Sequence, residues 1–173
     1  AGGLRDGKGT LYEGGIRVPG IVRWKGRIAA DSESDRVTGF EDWLPTLLKL
    51  AGANVTVPEG IDGIGFVETL LGEQQEPRPF LYREFPGYGG QQSIRMGNWK
   101  GIRRGLKPRP RDENKEPNLH IALYNLAVDP GEQIDVSSEQ PETVATMIHL
   151  MGEQRTVSKD FPFAALDEGD NAR

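Results

Sequence analysis

"QQSIRMGNWKGIRR", residues 91–104, falls into two short runs on either side of Gly97-Asn98. A Gly-Asn pair between two strand-like runs is a tight-turn signal, so the stretch predicts a β-hairpin. Upstream, "RPFLYREF" (78–85) reads as another strand. Downstream, "LHIALYNLAVDP" (119–130) reads as a fourth, ended by the turn residues Asp129-Pro130-Gly131. "QPETVATMIHLMGEQR" (140–155) predicts an amphipathic helix opened by Pro141, with Val144, Ile148 and Met151 as its apolar stripe and Met147 beside it. Residues 77–156 therefore predict a small antiparallel sheet of about four strands with one helix packed on it. Trp99 is expected on the covered face of that sheet, as core rather than as a sugar platform. Residues 157–173 are read as a tail whose end, "DEGDNAR", frays.

Residues 1–76 have a different character. "IRVPGIVRW" (16–24) reads as a strand, with Pro19 at an edge, a bulge or a strand start. "EDWLPTLLKLA" (41–51) predicts a helix: Trp43, Leu44, Leu47, Leu48 and Ala51 recur at helical spacing, Pro45 fits the first turn and Gly52 the stop. Its leucine stripe reads as core packing. "DGIGFVETLLG" (62–72) suggests a short helical turn burying Phe66, Leu70 and Leu71. Its glycines do not follow a strand in a βαβ unit, which excludes a dinucleotide site. Asn54-Val55-Thr56 is a formal glycosylation acceptor. One strand and one helix are too few elements to close a sheet, so this half looks incomplete.

Composition narrows the function classes. Apolar residues make up 36%, enough for a lean core, and the net charge of -5 argues against wholesale nucleic-acid binding. No apolar run approaches the length of a membrane span. The absence of cysteine removes disulfides, thiolate metal sites and cysteine nucleophiles from this chain. The start, "AGGLRDGK", is neither a signal peptide nor an initiator Met, and reads as cut from something longer or as a trimmed product.

The charged candidates are few. His120 and His149 lack metal-ligand spacing. Arg103, Arg104, Lys107, Arg109 and Arg111 form a basic run in and before the proline-rich stretch 105–118, and such a run reads first as a solvated loop. The alternative is a lip for an anionic substrate, carried by Arg103 and Arg104. "GKGTLYEGGIRVPG" (7–20) packs five glycines around Lys8, Tyr12, Glu13 and Arg17. Alone it reads as a flexible glycine loop. As a rigid device it would aim Lys8, with Gly7 and Gly9 letting backbone approach an anion, Glu13 pairing with Arg17, and Gly14-Gly15 turning into the strand.

Taken in order, "GKGTLYEGGIRVPGIVRWKGRI", "DWLPTLLKLAG", "LYREF", "SIRMGNWKGI" and "LYNLAVDPGEQ" resemble the C-terminal portion of a type I sulfatase, of the arylsulfatase branch of the alkaline phosphatase superfamily. The resemblance runs from about residue 3 to residue 155 and implies an α/β protein, α+β within this span. Residues 1–76 would be the C-terminal segment of the catalytic α/β domain, and 77–156 the small C-terminal subdomain. It implies a sulfuric ester hydrolase acting on a sulfated small molecule or glycan. Lys8 matches the family lysine that contacts the sulfate. The family's nucleophile, a formylglycine made in a C/S-x-P/A-x-R context, has no counterpart here. The ligands of its divalent cation, calcium by the family pattern, would also lie upstream, as would its catalytic histidine. This chain alone is therefore expected to be inactive, and its Lys8 loop to be mobile without the metal and anion. By resemblance the compartment would be periplasmic, secreted or lysosomal. Two other readings remain open: a standalone glycan-binding or interaction module, and a phosphate or phosphonate ester hydrolase of the same superfamily.

Overall fold

The computed structural model describes residues 2–54, 56–107 and 116–170, with the side chains of 168–170 excepted. The strands are β1 (Leu81–Phe85), β2 (Gln91–Met96), β3 (Trp99–Arg104) and β4 (Ala122–Asn125). They form one antiparallel sheet in chain order, β1-β2-β3-β4. The predicted hairpin is present: Met96 pairs with Trp99 across Gly97-Asn98, and Gly97 takes the left-handed backbone (φ 55°) that such a turn requires. Strand β4 pairs antiparallel with β3, Lys100 opposite Tyr124.

The chain divides into two compact units, Ala1–Val18 with Tyr82–Arg173, and Pro19–Leu81. Residues 2–18 thus pack with the sheet, although the sequence groups them with 19–76.

In the sheet unit, α4 (Pro141–Gln154) covers one face. Its inward residues are Met147 and Met151, both fully buried, whereas Ile148 is 49% exposed. The expected Val144/Ile148/Met151 stripe is therefore rotated. The reason lies in β3, where a Cβ on Gly101 would sit 2.7 Å from the Met147 sulfur and 3.0 Å from Ile121. The space left by that glycine takes an unbranched, adaptable methionine. Trp99 is half-buried. Past α4, a short helix α5 (Ala164–Asp170) stands where the sequence suggested a frayed end. Phe163 is buried before it, and Asp167 accepts from the Phe163 N–H and pairs with Arg155 at 2.5 Å.

Asp135 ties the segment after β4 to the sheet. Its carboxylate accepts from the Leu123 N–H (3.0 Å) and the Ser137 N–H (2.9 Å) and lies 3.0 Å from His120 Nε2. Burial opposes its ionisation, but the hydrogen bonds from His120, Leu123 and Ser137 outweigh it and hold the carboxyl down at about 2. A depressed carboxyl contributes stability that is present above its unfolded value, about 3.9, and lost as pH falls through the folded one. Asp135→Asn is therefore expected to flatten the fall in stability between about pH 4 and pH 2. Urea unfolding at several pH values checks this, and an unchanged acid limb would contradict it.

In the second unit, α2 (Trp43–Leu50) follows a 3-10 turn at Phe40–Asp42, and α3 (Val67–Leu70) packs nearby. Trp43 meets Phe66 edge-on at 4.9 Å. The centre is polar as well as apolar. Asp42, almost fully buried, accepts from the Gly39 and Ile64 N–H groups and from Arg78 at 2.6 Å, while Thr46 bridges the Asp42 carbonyl and the Phe66 N–H.

Three expectations fail in this part of the chain. Leu44 and Leu47 are 50% and 54% exposed, so the α2 stripe is not core here; the buried face carries Asp42 and Thr46 instead. Phe66 and Val67 are buried, but Leu70 and Leu71 only partly so. Residues 17–24 are not a strand. Ile21 is almost wholly exposed, because a strand exists only through hydrogen bonds to a neighbour and no described strand lies beside this one. Val55 of the acceptor triplet lies outside the described residues.

Candidate functional site

The loop carrying Lys8 begins with a tight turn. The Thr10 N–H and hydroxyl both donate to the Gly7 carbonyl, at 3.2 and 3.1 Å. Lys8 and Gly9 are the central residues, and Gly9 has φ 92°, the left-handed position of a type II turn. The turn presses on Gly15, where a Cβ would lie 2.2 Å from the Thr10 carbonyl oxygen and 2.7 Å from that of Gly7. A side chain at 15 would displace the turn. Lys8 itself is exposed.

Three fixtures hold this loop to the sheet. Gln91, fully buried at the start of β2, donates its amide to the Gly9 carbonyl (3.0 Å) and accepts from the Leu11 N–H (3.1 Å). Leu11 and Tyr12 are buried against Ile102 and Tyr124, on the face opposite Met147. Beneath them Lys100 is 1% exposed, with its ammonium 2.9 Å from Glu13 Oε1 and 2.9 Å from Glu132 Oε1. Glu132 also accepts from the Glu13 N–H at 2.7 Å. Burial raises the Glu132 carboxyl, and the charge of Lys100 counters that. Arg5 completes the clamp, lying 4.0 Å over the Tyr12 ring and donating to Tyr124 Oη (3.1 Å) and the Glu132 carbonyl (2.5 Å).

Glu13 therefore pairs with Lys100, not with Arg17 as the sequence suggested. The N–H of Arg17 donates to the Glu13 carbonyl instead, closing the short helix α1 (Glu13–Ile16), which stands where Gly14-Gly15 had implied a turn into a strand. A loop expected to be mobile without its anion is tied down on both sides of Lys8. The turn at Asp129-Pro130-Gly131, which ends the last strand, delivers Glu132 to the buried cluster.

The basic run is largely engaged within the protein. Arg103 Nε donates to Gln92 Oε1 at 2.6 Å, and burial lowers its guanidinium from the usual value. Gln92 bonds Tyr82 Oη (2.7 Å) and Glu84, which pairs with Arg155 at 3.1 Å. Arg104 pairs with Asp6 at 3.2 Å and lies 5.2 Å over Tyr12. Lys107 lies 5.0 Å over Phe163; Arg109 and Arg111 are outside the described residues. Of the sequence candidates, Arg104 thus lies on the Tyr12 face of the sheet, to which the loop carrying Lys8 is tied, while Arg103 belongs to the network with Gln92 and Glu84. His149 pairs with Glu153 on exposed helix.

Comparison with known proteins identifies this architecture. Residues 3–157 match the family described as N-sulphoglucosamine sulphohydrolase, C-terminal. Arylsulfatase A of Homo sapiens is 34% identical over 170 residues, covering 87% of this chain and 32% of its own. A solved Bacteroides thetaiotaomicron protein, described under metabolism of multiple glycosaminoglycans, aligns with a TM-score of 0.66 at 27% identity, covering 88% of this chain and 32% of that one. Ps i-CgsB in complex with k-i-k-neocarrahexaose aligns with a TM-score of 0.67 at 27% identity, covering 97% and 35%. The chain spans about a third of the length of these relatives. A four-stranded antiparallel sheet backed by a C-terminal helix, with a clamped glycine loop on its other face, is thus the C-terminal part of a sulfatase, and the chain belongs to the N-sulphoglucosamine sulphohydrolase C-terminal family.

Proposed function

We propose that this chain supplies the sulfate-facing cation, Lys8, of an enzyme that hydrolyses sulfate esters. The observation that carries the reading is the clamp: Gln91 fixes the backbone at residues 9 and 11 and Lys100 fixes Glu13, yet Lys8, in the turn just before them, is exposed. Clamped backbone around an exposed cation suits a preorganised anion contact. Cleaving a sulfate ester develops negative charge on the leaving oxygen and on the equatorial oxygens. A fixed ammonium stabilises that charge without reorganising at the moment of reaction.

The residues of this chain do not fit the family's other reacting groups. Among the described residues no group of three His, Asp or Glu could hold a cation, and there is no cysteine to mature into formylglycine. In our reading the nucleophile and the ligands of a divalent cation, calcium by the family pattern, belong to sequence outside this chain. The sulfated substrate would be a glycan or a small ester. Support for the glycan comes from Ps i-CgsB in its neocarrahexaose complex. No helix among the described residues is long and apolar enough to cross a membrane.

The test is turnover. The full-length protein is expected to hydrolyse 4-nitrophenyl sulfate faster than 4-nitrophenyl phosphate, whereas the 173-residue chain hydrolyses neither, whatever metal is added. Clean turnover by the chain alone contradicts the reading. A preference for phosphate by the full-length protein moves it to the phosphate-ester branch of the superfamily.

A further inference from the structure

Tyr88 sits where a tyrosine is hard to hold. The connection from β1 to β2 closes with the Gly90 N–H donating to the Gly87 carbonyl at 3.1 Å. The two residues between them, Tyr88 and Gly89, have φ of 53° and 88°. Two positive values mark a type I′ turn, whose first central position suits Asn, Asp or Gly. A bulky residue there is an outlier, and outliers of this kind cluster at functional sites. Burial does not account for it, since Tyr88 is 66% exposed.

The ring is nevertheless held in one place. It stacks with Phe85, centroids 6.0 Å apart and planes 30° apart. It also leans on Gly9, where a Cβ would lie 2.6 Å from Tyr88 Cε2, so only a glycine after Lys8 admits the ring. The contact with Gly9 sets this strained, exposed ring against the residue that follows Lys8.

We propose that Tyr88 is the stacking platform for the sugar ring that bears the sulfate ester; this rests on the reading that Lys8 faces the sulfate. The face of a sugar ring is a patch of C–H bonds with slight positive charge, complementary to the negative face of an aromatic ring. An exocyclic sulfate projects from the edge of such a sugar, and the cation that would receive it is the neighbour of the glycine on which Tyr88 rests. Tyr88 thereby selects for the ring that carries the ester, while Lys8 serves the ester itself.

The experiment uses the full-length protein as wild type, Tyr88→Gly and Tyr88→Phe. The sugar probe is whichever of galactose 4-sulfate, galactose 6-sulfate and N-acetylglucosamine 6-sulfate wild type turns over fastest. KM and kcat on that sugar are measured with the inhibition constant of inorganic sulfate and the melting temperature. Tyr88→Gly is expected to raise KM about fivefold or more, the scale of one lost aromatic contact. Sulfate inhibition should stay within about twofold, and the melting temperature should hold or rise because glycine relieves the strained φ. Tyr88→Phe, which keeps the ring face, should retain the wild-type KM.

An unchanged KM in Tyr88→Gly overturns the proposal. So does an equal weakening of sulfate inhibition, which would mean that the ring merely shapes the Lys8 turn. A fall in melting temperature of more than about 4 °C would make Tyr88 a structural plug. A wild-type enzyme that cleaves 4-nitrophenyl sulfate but none of the sugars also overturns it. Lys8→Ala, measured alongside, reports on the other reading: if it changes neither turnover nor sulfate inhibition, the Lys8 assignment fails, whatever the Tyr88 variants do.

Discussion

Replacing Lys100 by methionine is expected to destabilise the protein by about 3–5 kcal/mol, the cost of breaking a buried ion pair from one side. The ammonium is 1% exposed and is shared by two carboxylates, Glu13 and Glu132, that are 4% and 0% exposed. Methionine fills most of the volume but leaves both acids buried without their counter-charge. Arg95, 3.6 Å from Glu13 Oε2, reaches only one of them. The loss should depend on pH. Burial already raises the Glu132 carboxyl in the wild type, and removing Lys100 raises it further. A raised carboxyl contributes stability fully present below its unfolded value, about 4.3, and lost as pH rises through the folded value. The deficit of Lys100→Met should therefore be larger at pH 8 than at pH 5. The triple variant with Glu13→Gln and Glu132→Gln should recover much of it, because neutral amides need no counter-ion. Urea midpoints at the two pH values measure both effects. A deficit below about 1 kcal/mol, within the range of a surface pair, would mean that the cluster is hydrated in solution.

Lys8→Ala in the full-length protein is expected to lower kcat by about a hundredfold or more, the scale for losing one preorganised electrostatic contact. Lys8→Arg should not restore it, because a planar fork does not replace a compact ammonium at the same point. The melting temperature should barely move, since the lysine is exposed and the Gly7–Thr10 turn forms through backbone and Thr10. Steady-state kinetics with a thermal melt separates these outcomes. If Lys8→Ala keeps kcat/KM within about threefold of wild type, well under 1 kcal/mol of barrier, Lys8 is only a solvated loop residue. The two variants probe different layers of one structure: Lys100 holds the platform, and Lys8, by our proposal, acts from it.

The sheet was legible in the sequence because its information is local. The turn signal Gly97-Asn98 between two short strand-like runs specifies the hairpin, and Pro141 opens α4 as the sequence indicated. Residues 17–24 have strand composition, but composition expresses only a capacity; the partner that turns it into a strand is not local. The α2 stripe misled for the same reason, since periodicity gives a face but not what covers it. Lys8 was reached through motif resemblance rather than through physics. Its supports were invisible, because Gln91, Lys100 and Glu132 are polar residues whose meaning comes from partners far away in the chain. Tyr88 did carry a local sign: a tyrosine within "PGYGG" lies in a segment whose turn chemistry demands left-handed backbone.

The clamp also sets an order of events during synthesis. The Glu13 N–H finds its acceptor on Glu132, 119 residues later; Arg5 finds Tyr124 at the same separation, and Lys100 reaches Glu13 across 87. Contacts this distant in sequence form late, after the chain between them has emerged and its loop has closed. The contacts of the lysine loop to Tyr124 and Glu132 therefore cannot form until β4 and the turn after it have been made, later than those to Gln91 and Lys100. Truncation between Lys100 and Glu132 would remove the Glu132 anchor and leave the loop held by Gln91 and Lys100.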